Sequence, residues 1–189
     1  MIDKGKQIAG VTAIVGVAVA GLSVLYVGRL AGVVVEESHA RARTHALVVL
    51  HRAGQVAVDP AAPYASLRQD PGLRAILQAS IYSPGVFGAA IVDPQGVVVA
   101  HSDETRVGER HPGYGDLEAL AEASAIGKLR AIYAGDGQTL ETRQPMVLGD
   151  EAFGSIRVGV STLLMRQYVT DALRPALFTA AAAIGIAVL

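Results

Sequence analysis

Few side chains in this sequence are equipped for chemistry, and their spacing excludes more than it grants. His39, His45 and His51 recur every six residues. Six residues turn a helix by about 240°, so neighbours in this series do not share a face, whereas a metal-binding pair wants a spacing of three or four. No metal or other cofactor is expected. His111 stands alone in a loop. There is no cysteine, hence no thiolate zinc site, no Cys nucleophile and no disulfide framework. No Ser or Cys motif accompanies the histidines, and the strand–Gly–helix context of a phosphate-cradling loop is missing. Asp103, Glu104, Asp116 and Glu118 fall at loop and helix-start positions that solvation and capping explain. No catalytic residue is expected; binding chemistry remains. Glu141 and Arg143 lie two apart on one side of a strand. Arg143 can supply a carboxylate fork, Glu141 admits a cationic or amine ligand, and the two can equally pair with each other on a solvated face. Tyr114 and Tyr133 offer an apolar ring with a polar tip, Arg110 adds a loop cation, and Tyr82 and Tyr133 also suit plain packing.

The elements that must position these groups lie between two apolar runs. Ile8 to Gly28 carries no charge, and about 20 such residues cross a bilayer's hydrocarbon core. Ala176 to Leu189 is a second run, cut by the end of the sequence. Lys4 and Lys6 precede the first span, which places residues 1–7 in the cytoplasm by the positive-inside rule. Residues 29–173 are then extracytoplasmic, and residues 174–189 return toward the cytoplasm. A signal peptide is the competing reading of the first run, with Ala18-Val19-Ala20 as its cleavage site and a mature start near Gly21. The apolar run continues past that site through Leu22, Val24, Leu25 and Val27, which favours a retained anchor. The net charge of −1 gives no basic patch for nucleic acid.

Leu30 to Val56 has no proline and extends the first helix out of the membrane, with Leu30, Val33, Val34, Leu47, Val48 and Leu50 as a rough apolar stripe. Asp59-Pro60 and Pro63 end it. The exposed stripe, and the small residues Gly28, Gly32, Gly16 and Ala20, suit a homodimer; these small residues are also simply common in the chain. A helix follows over 72–82, opened by Ser66 or Asp70-Pro71 and burying Leu73, Ile76 and Leu77. Val86–Val92 and Val97–His101 form a hairpin about the type I turn Asp93-Pro94-Gln95-Gly96. Asp116 caps a helix over 117–125. Leu129–Ala134, Thr139–Val147 and Phe153–Val160 read as strands, joined at Gly135-Asp136-Gly137 and at Leu148-Gly149-Asp150-Glu151. Ser161 caps a last helix from Thr162, which Pro175 either kinks or restarts. This order predicts an α+β fold, with a five-stranded antiparallel sheet, a long N-terminal helix and two flanking transmembrane helices.

Three stretches resemble the extracytoplasmic single-Cache, PAS-like sensor domains of bacterial receptors. They are Ala90-Ile91-Val92-Asp93-Pro94-Gln95-Gly96 followed by Val99-Ala100-His101-Ser102-Asp103; Arg106-Val107-Gly108; and Glu141 to Pro145 followed by Phe153 to Ser161. The wording is most similar to that of sensor histidine kinases, while chemoreceptors and cyclic-dinucleotide enzymes use the same module. The resemblance implies the input region of a two-component sensor histidine kinase in the bacterial inner membrane. That region would be without activity of its own, the kinase following Leu189. It would bind a small solute outside the cytoplasm through His101, Arg143, Glu141, Tyr114, Arg110 and Tyr133. It also implies departures. The related carboxylate sensors place an Arg three residues before the His, where this chain has Val98, and their second Arg falls at Glu141, so citrate is not supported. A membrane-tethered dimerisation module without ligand, or a secreted hydrolase, are the readings from other classes.

Overall fold

The computed structural model describes residues 4–57, 62–148 and 151–188. Helix α1 spans Lys4–Val56 without interruption. Asp59-Pro60, expected to end it, lies outside the described residues. The outer half of α1 buries Ala31, Val35, Ser38, Ala42, Ala46, Val49 and Ala53, in steps of three and four that keep one helical face. This line differs from the expected stripe. Val33, Leu47 and Val48 remain exposed, while Leu30, Val34 and Leu50 are half-buried. Small side chains let the backbone of α1 lie close to the sheet, and close approach wins over side-chain size.

Helices α2 (Pro63–Gln69) and α3 (Pro71–Ser80) each begin on a proline, whose missing N–H would be unpaired there anyway. Asp70 caps α3, accepting from Leu73 N at 2.6 Å. Its carboxylate also takes a two-pronged contact from Arg52 of α1, at 3.0 and 2.7 Å. Those bonds hold the Asp70 carboxyl below its usual range, the Arg52 bond first. Tyr64 ties α2 to the sheet. Its ring stacks on Phe153 at 4.7 Å, and its hydroxyl donates to Phe153 O at 2.9 Å. Leu67, Leu73 and Leu77 are fully buried beneath.

The sheet contains β1 (Val86–Val92), β2 (Val98–His101), β3 (Gly115–Asp116), β4 (Thr139–Leu148) and β5 (Glu151–Ser161), in the order β2-β1-β5-β4-β3. The expected turn joins β1 to β2. Gly96 N donates to Asp93 O at 3.0 Å, and the Asp93 carboxylate collects Gln95 N and Val97 N at 2.9 and 2.8 Å. The turn over 149–150 lies outside the described residues. The core sits between α1 and one sheet face, which supplies Ala89, Ile91, Leu140, Met146, Ile156, Val158 and Val160.

The fold class is the expected α+β, with five strands, but one strand is not where the sequence put it. Leu129–Ala134 is helical: α5 spans Ala125–Tyr133, with Ser124 accepting from Gly127 N as its cap. A short apolar run does not distinguish strand from helix. The cap and the inward Lys128 and Ile132, four apart, decide it. Gly135-Asp136-Gly137 therefore links α5 to β4 instead of turning a hairpin. The fifth strand is β3, parallel to β4, so the sheet is mixed. Helix α4 (Leu117–Glu122) is capped by Asp116 as expected. Helix α6 (Thr162–Val188) continues through Pro175 without a fresh start.

One glycine sets how closely β5 lies on β1. Gly154 has φ +147°, and a Cβ there would stand 2.4 Å from Val92 O. Gly154→Ala is expected to cost about 1–3 kcal/mol, read as a lowered urea midpoint with an unchanged slope.

Candidate functional site

The sheet face opposite α1 carries the polar groups, and strand alternation puts them there. In β5, Ile156, Val158 and Val160 enter the core, so Ser155, Arg157 and Gly159 point the other way. In β4, Glu141 and Arg143 do the same. Antiparallel register sets Arg143 directly opposite Arg157, a like-charge pair that is unfavourable alone. Glu141 resolves it. Its Oε1 accepts from Arg143 Nε at 2.7 Å and from Arg157 Nη1 at 2.9 Å. Arg143 also donates to Tyr114 O at 3.1 Å. The Glu141 side chain is fully buried.

The roof of the site is the segment between β2 and β3. It is held by Gly108 N to Val98 O at 2.8 Å, Val98 N to Glu109 O at 2.9 Å and His111 N to Gly96 O at 2.9 Å. These bonds fold the chain back along the free edge of β2. They bring Arg106, His111 and Tyr114 over Gly88, Ala90, His101, Glu141, Arg157 and Gly159, around a cavity of about 10 Å³. That is room for about one water molecule. The His111 and Tyr114 rings meet edge-on at 5.4 Å.

Two imidazoles face this space. Asp103 N donates to His101 Nδ1 at 2.8 Å, and Gly113 N donates to His111 Nδ1 at 3.1 Å. Each neutral ring therefore carries its proton on Nε2. Burial lowers the pKa of both rings. Arg106 adds to the effect at His101, over the opposing pull of Asp103 and Glu109; Arg157 and Arg106 add to it at His111, over the opposing pull of Glu141. His111 Nε2 stands 3.6 Å from Glu141 Oε2, too far for a hydrogen bond. Glu141 Oε2 is thus a buried oxygen without a hydrogen-bond partner. Three arginines, Arg106, Arg143 and Arg157, meet two carboxylates, the buried Glu141 and the exposed Glu109 that stands 3.9 Å from Arg106, so the site favours an anionic group, and Glu141 keeps one acceptor free for a donor.

Of the residues singled out in the sequence, His101, Glu141, Tyr114 and Arg143 converge here. Arg110 does not: its backbone bridges Val97, which turns neighbouring His111 inward and Arg110 outward. Tyr133 closes α5, half-exposed, with the Arg166 guanidinium 5.5 Å from its ring. Tyr82 is exposed. Arg157, Arg106 and His111 were not foreseen. The alternation of β5 flags Arg157, but only the register shows it opposite Arg143. Arg106 and His111 sit in a loop without periodicity. A larger cleft of about 200 Å³ opens between α2, α3 and β2. It contains the exposed Arg74–Glu104 pair at 3.2 Å and borders His101, but the buried charge lies on the other side of the sheet.

A long helix backing the sheet, a polar cavity on its far face and a closing strand that runs into a helix are the parts of a sensor module. The family model described as single cache domain 3 matches residues 28–174. The chain belongs to the single cache domain 3 family. Cache domains are extracellular modules that sense small molecules in signalling proteins, and residues 28–174 are such a sensor region. No curated protein matches the chain.

Breaking the Cache cavity's charge cluster is expected to follow burial. Glu141→Ala leaves two facing arginines and should cost about 3 kcal/mol. Arg143→Ala, at a side chain 51% exposed, should cost under about 1 kcal/mol, with Arg157→Ala between them; thermal denaturation ranks the three. The histidines give a pH test. Both fold as neutral rings, so the unfolded chain binds more protons below the ordinary pKa of 6.5. Stability is then complete above about pH 6.5 and falls with acidification below it. NMR titration of both rings should show midpoints under 6.5, and a midpoint above that value at either would contradict the assignment.

Proposed function

We propose that this chain binds a small solute in the cavity under Arg106, His111 and Tyr114 and passes the event through a membrane as a displacement of α6. The observation that carries the proposal is the double use of β5. Arg157 and Gly159 form the cavity floor, and two residues later Ser161 leads directly into α6 at Thr162. The junction is stiff: Ser161 N donates to Gly85 O at 3.3 Å, and Gln138 N donates to Thr162 Oγ1 at 2.7 Å. A solute that prefers one position of β5 therefore biases α6, by no more than its difference in affinity for the two positions.

The free Glu141 oxygen among three arginines suits a solute with both an anionic group and a hydrogen-bond donor or cationic group. Val98 and Glu141 argue against a tricarboxylate. With about 10 Å³ available, entry requires the 102–114 segment to move outward. Among the described residues one helix, α1, is long and apolar enough to cross a membrane. Together with the charges at Lys4 and Lys6, this supports an inner-membrane receptor with residues 29–173 outside the cytoplasm, α1 entering over 8–28 and the chain returning from residue 174 onward along α6. Val33, Ala40 and Leu47 lie exposed on α1 at intervals of seven, a seam for a parallel homodimer. The output most in keeping with the wording of the three resembling stretches taken together is a two-component histidine kinase.

A melting screen of the chain against amino acids, carboxylates and amines tests the site. A binder at a hundredfold its Kd adds about 2.7 kcal/mol, a rise of roughly 5–10 °C for a domain of this size. His101→Ala and Arg157→Ala should abolish that rise. If nothing shifts the melting point and both variants signal normally in the full-length receptor, the site is wrongly placed. Histidine autophosphorylation of the full-length protein, changed by the same solute, tests the output.

A further inference from the structure

The polar cavity is not the only place where charge and shape meet. A groove of about 400 Å³ runs between α1 and α5, lined by Gly28, Arg29, Gly32, Val33, Glu36, Ala125 and Lys128. Its position along α1 gives it meaning. Ile14, Val17, Val19, Leu22, Val24, Leu25 and Tyr26 are all exposed, so among the described residues exposed apolar side chains cover most of the circumference of the helix over 14–26. That collar ends at Gly28, which is buried because the first turn of α5 sits on it. A Cβ on Gly28 would be 3.3 Å from Ala125 Cβ. The next residue of that turn, Ile126, is 75% exposed, with nothing of this chain over it.

We propose that the first turn of α5 is a foot on the bilayer: Ile126 enters the boundary between head groups and acyl chains, and Arg29 with Lys128 holds the head group of an anionic phospholipid in the groove. This rests on the reading of α1 as a membrane span. Three observations select lipid as the occupant. The groove begins where the lipid-facing collar stops. Two cations line the groove, and the exposed apolar Ile126 follows its lining residue Ala125 in the same turn of α5, the mix of charge and apolar surface found in interfacial anchors. Arg29 has no acidic partner among the described residues, and Lys128 is 7% exposed with a single acidic partner, Glu36 at 3.4 Å, leaving the groove one positive charge in excess. An anionic lipid head group complements that charge. The foot also sets the tilt of the domain on the membrane, because α5 reaches α6 at its other end, where Arg166 donates to Ile132 O and Gly135 O, both at 3.0 Å.

The absence of cysteine makes the test direct. Single spin labels are placed by Ile126→Cys, Val17→Cys and Ile81→Cys in the whole chain reconstituted in nanodiscs of phosphatidylcholine with or without phosphatidylglycerol. Label depth is read from the relative access of oxygen and a water-soluble nickel chelate. Val17→Cys reports the span. Ile81→Cys is the aqueous control: Ser83, two residues on, bonds His45, seventeen residues and about 25 Å up α1 from Gly28. The expected result is oxygen-favoured access at both 17 and 126, with 81 aqueous. A label at 126 as aqueous as that at 81, while 17 is embedded, overturns the foot and leaves the span intact; an aqueous label at 17 overturns both. Native mass spectrometry tests the head group. The purified chain should retain phosphatidylglycerol over phosphatidylcholine, and Arg29→Gln should lower that preference about fivefold. Equal retention of the two lipids overturns the head-group assignment.

Discussion

Strand β5 has no idle face, and the rest of the domain is arranged around that constraint. Ile156, Val158 and Val160 fill the core beneath α1, while Ser155, Arg157 and Gly159 look into the polar cavity. Its neighbours are β1 on one edge and β4 on the other, and its end is the start of α6. A shift of β5 touches core packing, the cavity and the start of α6 together. Close-packed interiors resist graded deformation, so under the proposed function such a strand would pass on a discrete displacement. Gly154, where β5 almost touches the backbone of β1, fixes the seating of the strand in the sheet.

The electrostatics of the cavity make the same point from the other side. Two arginines face each other across β4 and β5, and one fully buried carboxylate holds them. The histidines stay neutral because burial and nearby arginines outweigh the acids, Asp103 and Glu109 at His101 and Glu141 at His111. The cavity then has an excess of donors, one unpaired carboxylate oxygen and room for about one water. Under the proposed function, a solute of matching charge pattern would displace existing partners here and find its own.

Much of this was legible in the sequence because it follows from period and punctuation. The β1–β2 hairpin followed from Asp93-Pro94-Gln95-Gly96 and the two closing strands from alternation; helix α3 was visible, with its start left between Ser66 and Asp70-Pro71, and the structure chooses Asp70. Leu129–Ala134 was misread because six apolar-rich residues satisfy either period, and the deciding Ser124 cap lies outside the run. The buried line of α1 was missed because alanines carry little weight in a hydrophobic pattern but permit the closest approach. Four of the seven polar side chains of the candidate site were visible as residue types: His101, Glu141, Arg143 and Tyr114. Arg157 required the pairing register. Arg106 and His111 required the path of a loop that folds back on β2, which no local rule encodes.

Hydrogen exchange across β5 and α6 tests the central claim most directly. The full chain in nanodiscs, with and without a stabilising solute, is digested and the amides from Arg157 to Leu164 are followed. A coupled strand predicts a change in protection that runs continuously from Arg157 through Ser161 into the first turn of α6. A change confined to residues 102–114, with Ser161 to Leu164 unaltered, would contradict it.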